Sequence, residues 1–315
     1  MRIAFIVDPL NSLNPKKDSS IAMMREAFQK GHEIFAILQP AIFWEAKTGV
    51  CARATRLKIS NDNQNWYAEK ESATLPLREF SAVIMRKDPP FDMEYVTSTW
   101  LLEQAEKEGA KVFNRPRAIR DHSEKLALME FAQFAAPTLV SREASVLNQF
   151  MDAEGETILK PLDGMGGSQI FRVHKNDKNR NVIIETLTLN ESRTIMAQGF
   201  IPEISAGDKR ILLIAGKVVP FALARIPKEG ETRGNLAAGG TGIAQKLSKR
   251  DLEIAEFIAP IVWKRGLFLV GIDVIGDYLT EVNVTSPTCM VQIYEQQGFN
   301  VAEMFITELE KACLA

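Results

Sequence analysis

The chain has 315 residues, of which 46% are hydrophobic and 25% charged, and its formal net charge is -2. This length and composition predict a globular protein with two or three subdomains around a cleft. The small net charge argues against a nucleic-acid-binding or anionic-membrane-binding surface, and no uncharged stretch reaches the length of a membrane span.

The cysteines and the amino terminus predict the compartment. Cys51, Cys289 and Cys313 are odd in number, widely separated and without Cys-x-x-Cys spacing, which argues against a disulfide framework or a structural metal. The apolar run at residues 1–7 is too short for a signal peptide. We therefore expect a cytoplasmic protein with free thiols, in which Cys289 is a small buried apolar residue.

Strands and helices alternate through roughly the first 120 residues, which predicts an open, mostly parallel α/β domain. The predicted strands cover 2–7, 33–38, 80–85 and 111–114, and the predicted helices cover 21–30 and 93–108. Ligands meet such sheets at the carboxyl ends of the strands, so Arg86, which follows one strand directly, is a candidate for binding a substrate anion. The alternative is a surface arginine paired with Asp88.

The middle segment has the pattern of a small α+β unit with a glycine-rich loop. Helices are predicted over 123–132 and 144–153, and strands over 157–160, 170–173 and 194–198. Lys160 ends one strand, and the glycines at 164, 166 and 167 follow it. Successive glycine amides can surround phosphate oxygens, and a lysine adds positive charge. Neither the common phosphate loop nor the dinucleotide pattern is complete, so a simple turn between strands is the alternative.

The remaining chain predicts long hairpins and a glycine-rich loop. Strands 210–215 and 218–226 flank a turn at 216–217, helices cover 248–264 and 301–314, and a second hairpin covers 267–284. The loop at 227–242 consists mostly of small residues that cannot pack a core, which predicts a lid, with disorder as the alternative.

The second hairpin contains a candidate metal site. Glu281 and Asn283 lie two residues apart in an apolar run, so on a strand both project from one face. A turn near Gly276 can place Asp273 opposite Glu281, provided that the turn has an odd length or that a bulge compensates. Three oxygen ligands favour Mg²⁺ over zinc or iron, whereas the alternative is the solvated face of a strand.

Taken together, six segments of the chain resemble the prokaryotic glutathione synthetases, a family of ATP-grasp ligases. They are residues 86–92, 160–167, 207–210, 223–227, 230–240 and 280–289. The resemblance extends over essentially the whole chain. It implies an ATP-grasp fold with an open α/β substrate domain at 1–122, a small α+β lid subdomain at 123–200 and a catalytic, metal-binding domain at 201–315.

The resemblance also implies the reaction. ATP phosphorylates the carboxylate of γ-glutamylcysteine to an acyl phosphate, and glycine then displaces phosphate to give glutathione. The implied cofactor is Mg²⁺ or Mn²⁺, and the family tends to form homo-oligomers, as dimers or tetramers. In this family a basic residue often stands where this chain has Thr241, which concerns the far end of the lid loop.

Site residues follow from the same resemblance. The implied ATP contacts are Lys125, Lys160, Gly164, Gly166, Gly167, Gln198, Gly199, Phe200, Ile201 and Asp208. The implied catalytic residues are Arg210, Arg225 and Arg233, and the metal ligands are Asp273, Glu281 and Asn283. The implied dipeptide contacts are Arg86, Asn283 and Ser286. For Arg210 and Arg225, the alternative is a role as buried salt-bridge partners.

Two other functions remain open from the sequence. One is a ligase of the same fold with another substrate, such as a D-alanine–D-alanine ligase or an enzyme that adds amino acids to a protein tail. The regions of Arg86 and Arg233 would decide this, because they select the acceptor. The other is a nucleotide-binding protein without catalysis, against which the intact metal ligands and arginines argue.

Overall fold

The computed structural model describes residues 1–231, 233–234, 236 and 239–314 of the chain. The protein is of mixed α/β class, and within the described residues the strands form sheets of six, four and five strands. The described helices include none that is both long and apolar enough to cross a membrane. Cys51, Cys289 and Cys313 are all free thiols, and Cys289 is buried, as the sequence predicts.

The first sheet combines a parallel centre with an antiparallel extension. Its strands are β1 (Arg2–Val7), β2 (Glu33–Glu45), β3 (Gly49–Ile59), β4 (Tyr67–Pro76), β5 (Ala82–Met85) and β6 (Val112–Phe113), in the order β4-β3-β2-β1-β5-β6. The helices of this region are α1 (Ser19–Gln29), α2 (Met93–Lys107) and α3 (Pro116–Arg120). Strands β1, β2, β5 and β6 are parallel, as the sequence predicts, whereas β3 and β4 are antiparallel and were not predicted.

The second sheet is antiparallel throughout. Its strands are β7 (Thr138–Ser141), β8 (Glu156–Pro161), β9 (Phe171–His174) and β10 (Ile195–Gly199), in the order β7-β10-β8-β9, with α4 (Ala144–Glu154) and α5 (Arg180–Thr188) packed against it. The predicted helix at 123–132 is wrong. Short 3-10 turns at Leu126–Met129 and Ala132–Phe134 stand there instead, because residues 122–124 form hydrogen bonds to the third sheet.

The third sheet carries most of the predicted site. Its strands are β11 (Asp208–Ile214), β12 (Lys217–Ile226), β13 (Thr241–Lys246), β14 (Leu269–Ile275) and β15 (Tyr278–Asn283), in the order β13-β12-β11-β14-β15. The helices are α6 (Lys249–Lys264), α7 (Met290–Gln297) and α8 (Val301–Leu314). A capping box between Ser248 and Asp251 starts α6, which satisfies exposed amides of its first turn.

The predicted lid loop is shorter than expected. Thr241 begins β13 and pairs with Ile226, so the loop ends at residue 240. Residues 232, 235, 237 and 238 of the predicted loop lie outside the described part of the chain.

A shared apolar core holds the first and third sheets together. One buried cluster contains Ile6 and Met85 of the first sheet together with Ile272 and Val282 of the third. Such burial contributes roughly 25 cal/mol per Å² of apolar surface removed from water. The packing places the carboxyl end of β5 beside the chain that follows β15, where the candidate substrate residues lie.

Candidate active site

Two arginines and two aspartates form a cluster on neighbouring strands, in which Arg210, Arg225 and Asp273 are buried and Asp208 is partly buried. The register places Asp208 opposite Arg225 and Arg210 opposite Asp273. Nη2 of Arg225 lies 2.5 Å from Oδ2 of Asp208 and 2.9 Å from Oδ2 of Asp273. Nε and Nη2 of Arg210 both donate to the carboxylate of Asp273, the second at 2.7 Å. The four charges balance, so both arginines are buried salt-bridge partners in this structure.

The two carboxylates of the cluster differ in acidity. Burial raises the pKa of Asp208 to about 6, although Arg225 acts in the opposite direction. Burial also acts to raise the pKa of Asp273, but Arg210 and Arg225 together outweigh it and hold that pKa at about 2. Oδ1 of Asp208 is buried and has no hydrogen-bond partner among the described residues, which leaves an acceptor for a ligand hydroxyl or a cation.

The β14–β15 hairpin has the register that the metal prediction requires. Ile275 pairs with Tyr278 across a two-residue turn, which by itself would place Asp273 opposite Thr280. A bulge shifts the register, and Asp273 pairs with Glu281 instead. Oγ1 of Thr280 donates to the backbone oxygen of Asp273 at 3.2 Å. The predicted compensating bulge is therefore confirmed.

The three predicted metal ligands share one face of this hairpin. Nδ2 of Asn283 donates to Oδ2 of Asp273 at 3.2 Å, and Oε1 of Glu281 lies 3.4 Å from Nζ of Lys125. No group of three His, Cys, Asp or Glu side chains placed to hold a metal occurs within the described residues. The predicted set supplies two carboxylates and one amide, which are hard oxygen donors suited to Mg²⁺ or Mn²⁺. The donor chemistry therefore fits such an ion.

The predicted phosphate-binding residues line one cavity. Its walls include Lys125, Lys160, Gly164, Gly166, Gly167 and Glu281. Nζ of Lys125 donates to the backbone oxygen of Gly164 at 2.7 Å. Gly166 and Gly167 have φ values of 62° and 82°, a region that glycine adopts without strain. Burial lowers the pKa of Lys160, against the opposing effect of Glu281.

A second cavity adjoins the first, because Lys160 lines both. The predicted adenine contacts Gln198, Gly199, Phe200 and Ile201 line it, together with Arg233 of the predicted lid loop. Isoleucines at 158, 170, 204 and 275 supply its apolar wall. Nζ of Lys160 donates to Oε1 of Gln198 at 3.4 Å. The structure thus places the apolar cavity beside the cavity lined by the lysines.

Arg233 has its own carboxylate partner. Its Nε and Nη2 donate to Glu231 at 3.0 and 3.1 Å. That pair is exposed, so the side chain can exchange partners at little free-energy cost.

Arg86 is held from two sides and is only 4% exposed. Its Nε donates to Oγ of Ser20 and its Nη2 to the backbone oxygen of Pro287, both at 3.0 Å. Nη1 is buried and has no hydrogen-bond partner within the part of the chain that the structure describes. The alternative of a surface arginine paired with Asp88 is therefore wrong. Oγ of Ser286 donates to the backbone oxygen of Arg86 at 3.3 Å, which brings these two predicted substrate residues together.

Two residues that hold the chain after β15, Glu124 and Asn114, have no recognisable signal in the sequence. Oε1 of Glu124 accepts from the backbone nitrogens of Val284 at 2.9 Å and Thr285 at 3.2 Å, and from Oγ1 of Thr285 at 2.9 Å. Nδ2 of Asn114 donates to the backbone oxygens of Leu269 and Val284, both at 2.8 Å. The partners lie 155 to 170 positions away in the sequence, so no local pattern marks these residues.

Comparison with known proteins decides the family. The family model for the prokaryotic glutathione synthetase N-terminal domain matches residues 1–120. The model for the prokaryotic glutathione synthetase ATP-grasp domain matches residues 124–298.

The chain belongs to the prokaryotic glutathione synthetase family. The glutathione synthetase of Ralstonia nicotianae is 59% identical over 312 residues, which cover 99% of this chain and 96% of that protein. The glutathione synthetase of Nitrosomonas europaea is 55% identical over 313 residues, which cover 99% and 98%. Membership of this family confirms the predicted enzyme class, an ATP-dependent, ADP-forming ligase that makes glutathione.

Solved structures support the fold of this glutathione synthetase family member. The D-cycloserine synthetase DcsG matches with a TM-score of 0.68 at 14% identity, over 99% of both chains. The ATP-grasp ligase PsnB in complex with a minimal precursor matches with a TM-score of 0.66 at 16% identity, also over 99% of both chains. At these identities the likeness concerns the fold alone, and it confirms the predicted ATP-grasp architecture.

Proposed function

We propose that the two adjoining cavities bind ATP. We further propose that γ-glutamylcysteine is joined to glycine beside these cavities, near β15 and Arg86. The observation that carries the proposal is the convergence of Lys125, Lys160 and Glu281 on the cavity of the glycine loop. Cationic side chains, backbone amides and a carboxylate in one place suit a nucleotide phosphate with a divalent ion.

The chemistry requires activation of a carboxylate. Direct attack of an amine on a carboxylate would expel oxide, which is a very poor leaving group. In the proposed reaction a carboxylate oxygen of γ-glutamylcysteine attacks the γ-phosphorus of ATP, and ADP leaves. The amine of glycine then attacks the acyl carbon, the C–O bond to phosphate breaks, and the amine gives up a proton. Inorganic phosphate leaves with one former carboxylate oxygen.

The enzyme's contribution to these steps is positioning and charge neutralisation. Lys125 and Lys160 neutralise the ATP phosphates. Arg210 and Arg225 are proposed to neutralise negative charge on the transferred phosphoryl group and the reacting carboxylate. Both are already fixed by carboxylates, so they are preorganised rather than recruited during the reaction. Asp208, with its unpartnered oxygen, is the proposed polar contact to the nucleotide.

Asp273, Glu281 and Asn283 would hold Mg²⁺ or Mn²⁺. The ion would supply Lewis-acid stabilisation of charge on the phosphate oxygens. The protein's part is to hold three hard donors on one face of a hairpin, which the bulge makes possible.

Arg86 is the proposed anchor for a carboxylate of the dipeptide. Its unpartnered Nη1 is the supporting observation, because a buried donor of this kind gains a strong bond from an anion. Ser286 and Asn283 are proposed to contact the same substrate. Arg233 and its loop are proposed to close over the acyl phosphate and exclude water.

We propose three broader features of this family member: its domain division, its oligomeric state and its compartment. We divide the chain into a substrate domain at 1–122, a lid subdomain at 123–200 and a catalytic domain at 201–315. We also infer a homo-oligomer, a dimer or a tetramer, that works in the cytoplasm.

The proposed substrates can be tested by product analysis. The enzyme is incubated with ATP and Mg²⁺ alone, with γ-glutamylcysteine and glycine, or with D-alanine, and ADP and the peptide product are quantified. We expect ADP and glutathione in equal amounts only with γ-glutamylcysteine and glycine. ADP release that is equally fast with D-alanine would contradict the proposed substrates.

A further inference from the structure

The segment that connects the first two sheets lies along the edge of the strand with the metal ligands. Strand β15 is the last strand of the third sheet. The backbone nitrogen of Val282 donates to the backbone oxygen of Glu124 at 2.9 Å. Nε2 of His122 lies 3.0 Å from the backbone oxygen of Val282. This connecting segment therefore extends the hydrogen bonding of the sheet beyond Glu281 and Asn283.

The carboxylate of Glu124 fixes the point where that strand ends. Its Oε1 accepts hydrogen bonds from two consecutive residues, Val284 and Thr285, through three separate donors. Hydrogen bonds to an ionised acceptor are stronger than neutral ones. Val284 and Thr285 stand between Asn283 and Ser286, so this one oxygen sets the path of the chain between the two proposed substrate contacts.

The next residue reaches the opposite wall of the site. Nζ of Lys125 donates to the backbone oxygen of Gly164 at 2.7 Å and lies 3.4 Å from Oε1 of Glu281. Two consecutive residues, Glu124 and Lys125, thus connect the glycine loop of the second sheet with the end of β15. A shift at either residue changes the distance between the phosphate contacts and the metal and substrate contacts.

We propose that Glu124 is a positioning residue for the ligase reaction. It holds residues 284–285 so that Asn283 and Ser286 face the reacting groups at a fixed distance from Lys125. The inference rests on the roles proposed above for those residues, and it adds a side chain that acts only through them. Misplacement of catalytic groups by about 1 Å can cost on the order of 10²-fold in rate.

Four variants separate positioning from general stability. Glu124→Ala removes the acceptor, whereas Glu124→Gln keeps an oxygen at Oε1 for the same donors. Thr285→Val removes only the hydroxyl donor. Glu130→Ala is the matched control, because that carboxylate also binds a distant residue, Arg265, but its side chain is 44% exposed and is not among the residues that line either cavity of the site.

Steady-state kinetics of the enzyme give kcat and KM for γ-glutamylcysteine and ATP, and the Mg²⁺ concentration at half-maximal rate. Thermal unfolding gives the Tm of each variant. We expect Glu124→Ala to lower kcat/KM for the dipeptide by about 10²-fold and to raise the Mg²⁺ requirement. Glu124→Gln should restore most of the activity. The kcat/KM of Thr285→Val should lie between the values for Glu124→Ala and Glu124→Gln, and that of Glu130→Ala should match the wild type.

The outcomes distinguish this inference from the proposed function. Wild-type kinetics for Glu124→Ala would overturn the positioning role, provided that Asn283→Ala is inactive. Equal losses of kcat/KM in Glu124→Ala and Glu124→Gln would also overturn the positioning role, since the acceptor oxygen that glutamine retains would then make no difference. Wild-type activity of Asn283→Ala would instead refute the proposed function itself.

Discussion

Replacing Asp273 with asparagine tests whether the buried charge cluster stabilises the fold. The side chain of Asp273 is 4% exposed and binds both Arg210 and Arg225. In Asp273→Asn, the two guanidinium groups keep only the carboxylate of Asp208, so one positive charge is buried without compensation. Removing one partner of a buried ion pair costs about 3–5 kcal/mol.

The cost converts into a measurable change of the unfolding temperature. At roughly 2.1 cal/mol/K per residue, the 315-residue chain unfolds with an entropy near 0.66 kcal/mol/K. The ligand-free variant should therefore unfold about 5–8 °C below the wild type. We expect ligase activity to be lost as well, because the same carboxylate is a proposed metal ligand.

An exposed ion pair provides the control for this measurement. Asp152 lies 2.6 Å from Nη1 of Arg180, but its side chain is 62% exposed. Water screens an exposed ion pair, so Asp152→Asn should lower Tm much less than Asp273→Asn does. Calorimetry at pH 7 on both variants compares the two sites directly. A Tm loss in Asp273→Asn no larger than that in Asp152→Asn would refute the buried-cluster reasoning.

Three further predictions concern the nucleotide site, the lid and pH. Lys160→Ala should lower turnover by roughly 10²-fold or more, and normal turnover with unchanged ATP affinity in rapid kinetics would argue against its phosphate role. Tryptic cleavage at Lys228 and Arg233 should be suppressed by ATP with γ-glutamylcysteine, since the lid composition offers little packing by itself; equal cleavage with and without substrates would leave the lid unsupported. The pKa of Asp208 is raised from 3.8 to about 6, so the folded protein binds this proton more tightly than the unfolded chain does. The resulting stabilisation is complete below pH 3.8 and is lost as the pH rises through 6. Between pH 4 and pH 7, the free energy of unfolding measured with urea should therefore fall less in Asp208→Asn than in the wild type. The same pH dependence in both proteins would contradict the raised pKa of Asp208.

The sequence predicted the parts of the fold that depend on local pattern. Buried strands such as β1 and the capped helices α1 and α6 have apolar periodicity and terminal signals that local physics can detect. Strand β4 was missed because it lies at the sheet edge with most side chains exposed, so it lacks the alternation of a half-buried strand. The helix expected at 123–132 failed because tertiary hydrogen bonds to β15 compete for its first residues.

In the candidate site, too, the features that depend on local pattern were predictable and those that depend on tertiary packing were not. The pairing of Asp273 with Glu281 was predicted from strand geometry. Both side chains can share one face only if the turn has an odd length or a bulge shifts the register, and the structure has the bulge. The partners of Arg86 could not be predicted, because Ser20 and Pro287 are distant in sequence and are brought together only by the packing of two sheets. The same holds for Glu124, whose side chain shows its role only beside β15.

The most direct test of the proposed reaction follows one oxygen atom. γ-Glutamylcysteine labelled with ¹⁸O in the reacting carboxylate is incubated with the enzyme, ATP, Mg²⁺ and glycine, and the released phosphate is analysed by mass spectrometry. The acyl-phosphate route predicts one ¹⁸O in each phosphate formed together with glutathione. Glutathione production accompanied by unlabelled phosphate would contradict it.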